Sequence, residues 1–372
     1  MVVTFLVFLL SLGGCTENKT DDIKKPEQAR SLKRAFADDF YVGAAINARL
    51  ISEEDSLALQ LLRKEFNSIS PENDMKWENI HPAPDSFYFD IADRYAALAE
   101  DNNMFALGHT LVWHSQLADY MNTVSDTATM NVYLENHIST IVQRYKGKID
   151  AWDVVNEALN EDGTLRESVF FKVLGEKYIA KAFKLAAQSD SDAKLLYNDY
   201  NLCVPEKRGG AVRLVKTLQN EGIKIDGVGM QGHWGLKEPS LAEIENSILA
   251  YSDLGVKVSI TELDITVLPN PWDLEGAEVG QNFENEDRMN PYPDVLPDSV
   301  QLQLAQRYHD IFQLFVKHSD KIDRVTFWGI NDGNSWLNNW PIRGRTNYPL
   351  LFDRKFHPKE AYDSILSLIS EN

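Results

Sequence analysis

The stretch AWDVVNEA, residues 151–158, decides the fold. Apolar and β-branched residues climb to Asn156 and Glu157 and then stop, the pattern of a buried parallel strand that delivers an acid to its C-terminal end. Seven more stretches read as strands: FYVGAAI (40–46), FNSIS (66–70), FALGHTLVW (105–113), KLLYND (194–199), IDGVGMQ (225–231), KVSITEL (257–263) and RVTFWGI (324–330). Between them lie segments with apolar residues at three- and four-residue spacing. Examples are SEEDSLALQLLRKEF from Ser52, with Ser52 and Asp55 as candidate caps, EKYIAKAFKLAAQ from Glu176 and RGGAVRLVKTLQN from Arg208. Eight strands alternating with helices predict an α/β fold, a (β/α)8 TIM barrel forming one catalytic domain over residues 35–372. The competing open sheet would carry a glycine-rich phosphate loop after its first strand, and no GxGxxG occurs.

Charge and cysteine usage narrow the partners and the compartment. The net charge of −19 repels nucleic acid and anionic membrane surfaces and leaves neutral or small-molecule partners. Aromatic residues make up 10 %, with 8 Trp, and such flat apolar faces are suited to stacking on sugar rings. Two cysteines, Cys15 and Cys203, define no disulfide framework, and Cys203 reads as a small buried hydrophobe. Residues 1–14 are uncharged and mostly apolar, too short for a membrane span of ~20 residues and suited to a signal-peptide core. LGGC, ending at Cys15, resembles a bacterial lipobox, whose cysteine becomes the lipidated first residue, although no Lys or Arg precedes the apolar run. The expected layout is a signal peptide (1–14), lipidated Cys15 with a polar tether (15–34), and the barrel. The protein is then extracytoplasmic and lipid-anchored to the outer membrane, on its periplasmic face or at the cell surface, with a plain secretory signal as the alternative.

Alternate strand residues of a barrel point inward. On the seventh strand this groups Val258, Ile260, Glu262 and Asp264; on the sixth, Gly229, Gln231 and His233; on the third, Leu107, His109, Leu111 and Trp113. The second strand runs into Glu72, Asn73 and Lys76. Taken singly, each polar residue reads more simply as salt-bridged or packed. Together they converge on one rim. His109 and His114 face opposite sides of a strand and no HExxH or CxxC accompanies them, so no metal is expected. No GxSxG elbow marks a serine nucleophile. What remains is Glu157 and Glu262 at the ends of the fourth and seventh strands, a carboxylate pair of the kind that hydrolyses glycosides. The long loop of residues 269–299 is expected over this face, with Trp272, Phe283 and Tyr292 as candidate sugar contacts.

Seven blocks now add a resemblance: WDVVNEA with Glu157, TELD with Glu262, ENDMKW from Glu72, GHTLVWH from Gly108, YNDYN from Tyr197, GMQGHW from Gly229 and FWGINDGNSW from Phe327. In order and from about Phe36 to the C-terminus, they resemble the signature blocks of glycoside hydrolase family 10, the endo-1,4-β-xylanases. The resemblance implies hydrolysis of internal β-1,4-xylosidic bonds of xylan by double displacement with retained configuration and no cofactor. Glu157 is implied as acid and base, Glu262 as nucleophile, His233 as the donor to Glu262, Asp264 as the holder of that histidine, and Asn156 as the contact to the sugar 2-hydroxyl. Glu72, Asn73, Lys76, His109, Trp113 and Gln231 match glycone-side binding positions, Trp328 and Trp336 an aromatic pair roofing that side, and Tyr200 and Asn201 the leaving-group side. The expected partners are xylan and xylo-oligosaccharides, with no nucleic acid, membrane contact only through the lipid, and a monomeric enzyme. Two alternatives stand: a retaining β-1,4-glucanase or cellulase on the same barrel, and a non-catalytic glycan-binding lipoprotein. Two opposed acids with their supporting residues argue against the second.

Overall fold

Strands of β-branched and apolar residues, covered on both faces, build a parallel sheet. They are β1 (Tyr41–Ile46), β2 (Ser68–Pro71), β3 (Phe105–Gly108), β4 (Val112–Trp113), β5 (Ala151–Asn156), β6 (Lys194–Asp199), β7 (Gly227–Met230), β8 (His233–Gly235), β9 (Lys257–Thr266) and β10 (Ile322–Phe327). The order β10-β1-β2-β3-β5-β6-β7-β9 closes through β10 pairing with β9. The short strand β4 runs alongside β5, and β8 alongside β9, so the third and sixth staves are each broken in two. The result is the expected closed eight-stave (β/α)8 barrel. This computed structural model describes residues 1, 30–270 and 287–370. The signal-peptide stretch, Cys15, the tether up to residue 29, Trp272 and Phe283 lie outside the described residues.

The chain divides into the units Met1–Arg30 and Ser31–Asn372, and the barrel is the second. Residues 31–34, read from composition as tether, are folded. Leu32–Ala35 is a helical turn whose Leu32 is fully buried and donates its amide to Glu65 Oε2 at 3.0 Å. At the first long helix, Ser56–Glu65, Asp55 accepts the Ala58 amide as the N-cap, while Ser52 instead closes the preceding turn Ala48–Ile51. The helix expected from Arg208 begins earlier, as Pro205–Asn220, with proline at a first-turn position where its missing N–H costs nothing. Tyr292, offered as a sugar contact, packs against the main core, and its carbonyl accepts the Tyr348 hydroxyl at 2.9 Å.

Inside the barrel, Leu107, Ala151 and Leu196 with Phe105 form a small apolar plug separate from the main core, which contains the buried helix faces. Two register shifts then decide which side chains reach the upper rim. On β5, Asp153 pairs with Leu196 and Val155 with Tyr197, so Val154 is an extra residue and both valines join the outer core, leaving Asn156 opposite Asn198. On β9, Ile260 pairs with Val325 but Leu263 with Phe327, so Thr261 and Glu262 together oppose the one residue Thr326. Simple alternation along β9 therefore fails. Val258 and Ile260 belong to the outer core, and the bulge turns Thr261 and Glu262 both toward Asn198. The third stave breaks similarly, with Leu107 in the plug and Leu111 in the outer core.

The contact between β3 and β5 is close enough to require glycine at position 108. A Cβ there would lie 2.1 Å from the ring of the fully buried Trp152. Gly108→Ala is therefore expected to lower unfolding stability by about 1–3 kcal/mol through overpacking, read from the urea midpoint at unchanged slope.

Candidate active site

Glu157 follows directly on β5 and leaves it abruptly. Its backbone sits at φ 54°, a left-handed conformation that costs a residue with a side chain roughly 1–3 kcal/mol. Its amide still donates to the Asn198 carbonyl at 2.9 Å, continuing the β5–β6 ladder by one bond. The turn lifts the carboxylate to the rim, where Oε2 accepts from Trp113 Nε1 at 2.9 Å and Oε1 from Gln231 Nε2 at 3.1 Å. The Asn156 amide makes only a long contact to the same oxygen, 3.4 Å.

Glu262, on the β9 bulge, is 5 % exposed and differently held. Its Oε1 accepts from Asn198 Nδ2 at 2.9 Å and its Oε2 faces His233 Nε2 at 3.1 Å. The other ring nitrogen of His233 meets Asp264 Oδ1 at 3.0 Å, and Asp264 Oδ2 accepts from Trp336 Nε1 at 2.8 Å. Burial alone would push the Glu262 carboxyl up, but the His233 hydrogen bond, the nearby His109, the His233 charge and the Asn198 donor together hold it below its ordinary value. Burial likewise opposes charge on His233, yet Asp264 and then Glu262 win, and its pKa is pushed up to about 10. The line Glu262–His233–Asp264 is thus an alternation of negative, positive and negative charge.

Three carboxamides join the two glutamates. Gln231 Nε2 donates to Glu157 Oε1 and, at 3.3 Å, to Asn156 Oδ1; Asn156 Oδ1 also accepts from Asn198 Nδ2, which in turn donates to Glu262. The side-chain oxygen of Asn198, Oδ1, accepts from Thr261 Oγ1 at 2.6 Å. Asn198 was not among the residues singled out from the sequence, although it lies in the YNDYN block. The signal was its place opposite Asn156, which only the β5 register shift creates.

The remaining candidates fall on two sides of this centre. On one, Lys76 is buried, donates to Asn73 Oδ1 at 2.9 Å and Gln116 Oε1 at 2.8 Å, and lies 4.9 Å over the Trp113 ring. Desolvation lowers its pKa although Glu262, Glu72 and Glu157 pull it upward, and desolvation raises that of Glu72 against the pull of Lys76. His109 meets Asp153 Oδ2 at 2.9 Å, and Trp328 stands edge-on to both His109 and His233, at 5.5 and 6.4 Å. Trp336 lies 4.9 Å from the His233 ring. On the other side are Tyr200, whose hydroxyl accepts from Arg166 at 3.0 Å, and Asn201, which donates to Glu161 at 3.1 Å. Lys207 is fully buried there between Asp199 and Glu161, with its Nζ 3.3 Å from the Tyr200 ring centre. Burial pushes Asp199 up to about 7, with Lys207 opposing and the Glu157 charge adding to it. Among the described residues, no group of three or more His, Cys, Asp or Glu could hold a metal ion.

Chemically, the centre offers one carboxylate kept ionised by an imidazolium and another held only by neutral N–H donors. Comparison with known proteins points to the same chemistry. Residues 31–368 match glycosyl hydrolase family 10. The endo-1,4-beta-xylanase A of Xylanibacter ruminicola is 43 % identical over 343 residues, covering 91 % of this chain and 93 % of that protein. The endo-1,4-beta-xylanase of Geobacillus stearothermophilus is 40 % identical, covering 91 % of this chain and 98 % of that one. Among solved structures, a novel GH10 endoxylanase from a sugarcane soil metagenome superimposes with TM-score 0.86 at 43 % identity over 91 % of this chain and 99 % of the other. A mutant protein in complex with xylotriose does so with TM-score 0.80 at 35 % identity, over 91 % and 99 %.

The charge alternation has a testable sign. Replacing His233 by Asn removes the cation facing Glu262, so the Glu262 carboxyl should titrate at higher pH, followed by its 13C resonance. The His233 pKa is raised above its ordinary ~6.5, so its stabilisation is complete below that pH and fades as pH rises toward 10. Thermal melts of wild type and variant should accordingly converge on the alkaline side. An unmoved Glu262 titration would contradict the electrostatic account.

Proposed function

The chain belongs to glycosyl hydrolase family 10, and from that premise we propose that it is an endo-1,4-β-xylanase, cleaving internal xylosidic bonds with retention of anomeric configuration. The observation that carries this reading is the pair of rim glutamates in contrasting environments. Glu262, ionised beside His233, attacks the anomeric carbon while Glu157 gives its proton to the departing xylosyl oxygen. A xylosyl ester on Glu262 results. Glu157, now a carboxylate, takes a proton from water as that water attacks the same carbon, and Glu262 leaves. Two inversions restore the configuration. Retention requires Glu262 close to the sugar with no water between, which suits a side chain on a buried bulge better than one on an open loop.

The supporting roles are those the family resemblance implies, and several of the hydrogen bonds suit them. Asn198 and His233 occupy one oxygen each of Glu262 and leave its remaining lone pairs for the sugar. Asn156 uses its carbonyl on Asn198 and Gln231, and its NH2, which makes only a long contact to Glu157 Oε1, is left to donate to the 2-hydroxyl of the reacting sugar. Lys76, Asn73, Glu72, Gln231, His109 and Trp113 bind the glycone, Trp328 and Trp336 roof it, and Tyr200 and Asn201 receive the leaving group. A hydroxymethyl group on the ring would crowd that roof, which favours xylose over glucose.

For the N-terminus we propose lipidation at Cys15 after removal of residues 1–14, on the strength of the LGGC sequence, and hence attachment to a bacterial membrane outside the cytoplasm. Among the described residues no helix is long and apolar enough to cross a membrane. We propose further that the enzyme acts as a monomer.

Two variants test the assignment of roles. On xylan, Glu262→Ala should abolish turnover, and undiminished activity would sink the nucleophile assignment. Glu157→Ala should lose roughly 10²–10⁴-fold in kcat/KM on xylan but far less on aryl xylobiosides whose phenol leaves without a proton, kcat/KM reporting the first step alone.

A further inference from the structure

Glu157 needs something to hold its left-handed backbone, and one side chain takes up the carbonyls that follow it. Arg166 Nε donates to the Glu157 carbonyl at 3.1 Å, Nη2 to the Leu159 carbonyl at 3.1 Å, and the Arg166 backbone amide to the Ala158 carbonyl at 2.7 Å. Three successive carbonyls thus end on a single residue. The same Nη2 reaches the Tyr200 hydroxyl, tying the segment to the end of β6. From the other side, the Leu159 amide is 3.4 Å from Asp199 Oδ2.

Arg166 is itself held from behind. Leu159 and Leu165 form an isolated bridge, and Gly163 closes the turn between them by donating its amide N–H to the Asn160 carbonyl at 2.9 Å. The turn is seated on the helix Pro205–Asn220, so tightly that a Cβ on Gly163 would fall 2.3 Å from the Glu206 carbonyl oxygen. Arg213 Nη2 bonds the Gly163 carbonyl at 2.9 Å. A planar fork on so fixed a base sets angles as well as distances, which an ammonium on a flexible stem does not.

We propose that Arg166 is a positioning residue for proton transfer by Glu157. Its fork locks the peptide after Glu157 so that the carboxyl stays between Trp113 Nε1 and Gln231 Nε2, aimed at the glycosidic oxygen. The inference rests on the acid/base reading of Glu157. A loop anchor without this role would change stability and leave the dependence on leaving group alone.

The test compares wild type, Arg166→Met, Arg166→Lys and Glu157→Ala on aryl β-xylobiosides whose phenols span a range of acidity. Rates are normalised to active sites counted by mass spectrometry after trapping with an activated 2-deoxy-2-fluoro xylobioside, which requires no proton and so counts folded enzyme. Arg166→Met is expected to lose on the order of 10–100-fold in kcat/KM on the poorest leaving groups and only a few-fold on the best, because kcat/KM reports the first step, in which part of the general-acid contribution is lost. Arg166→Lys should recover part of the loss. An equal loss on all substrates, or none, would overturn the proposal. If Glu157→Ala itself shows no steeper leaving-group dependence, the acid/base reading fails; if it does while Arg166→Met parallels wild type, only the role of Arg166 fails.

Discussion

The structure of the site depends on one buried carboxamide. Asn198 shares its NH2 between Asn156 and Glu262 and anchors its carbonyl on Thr261. A fully desolvated amide is costly unless its hydrogen bonds are made, and here each partner is itself fixed to a strand. Asn156 is pinned on β5 and Glu262 on β9, with β6 and β7 between them. Through Gln231 the chain of amides extends to Glu157. Rotation of any one would leave buried donors or acceptors unmatched, so the network has one low-energy arrangement, and the two carboxylates share it.

The two acids nevertheless occupy different electrostatic settings. Glu262 is paired with a histidine made basic by a second carboxylate, and the indole of Trp336 satisfies that carboxylate in turn. Trp336 thereby couples an aromatic wall to the charge on Glu262. Glu157 meets only N–H donors of neutral side chains and carries backbone strain instead. On the proposed roles, a positive charge lies beside the acid that must stay an anion, and conformational constraint falls on the one that must deliver a proton in a set direction.

Alternating apolar strands and amphipathic helices made the barrel legible, because closure of eight such staves leaves few other ways to bury both sheet faces. The convergence of Glu157, Glu262, His233, Asp264 and Gln231 was likewise legible, as strand ends of a barrel share one rim. On β9, strand alternation points to Glu262 for the wrong reason. Alternation grouped it with Val258 and Ile260, whereas a bulge separates them, and a bulge leaves no mark in hydrophobic period. The same blindness hid Asn198, which faces Asn156 only because Val154 is extra. Arg166 was invisible for another reason: its work is on backbone carbonyls, which no side-chain pattern records. Leu32, set among polar residues, looked like tether until Glu65 and the core gave it partners.

Double displacement through Glu262 is the centre of the account, and stereochemistry at the anomeric carbon tests it most directly. Proton NMR of a xylo-oligosaccharide in the first moments of hydrolysis, before mutarotation, reports which anomer is released. The account predicts the β-anomer first, with the α-form growing only as mutarotation proceeds. Initial release of the α-anomer would mean a single displacement by water, and would contradict a covalent role for Glu262.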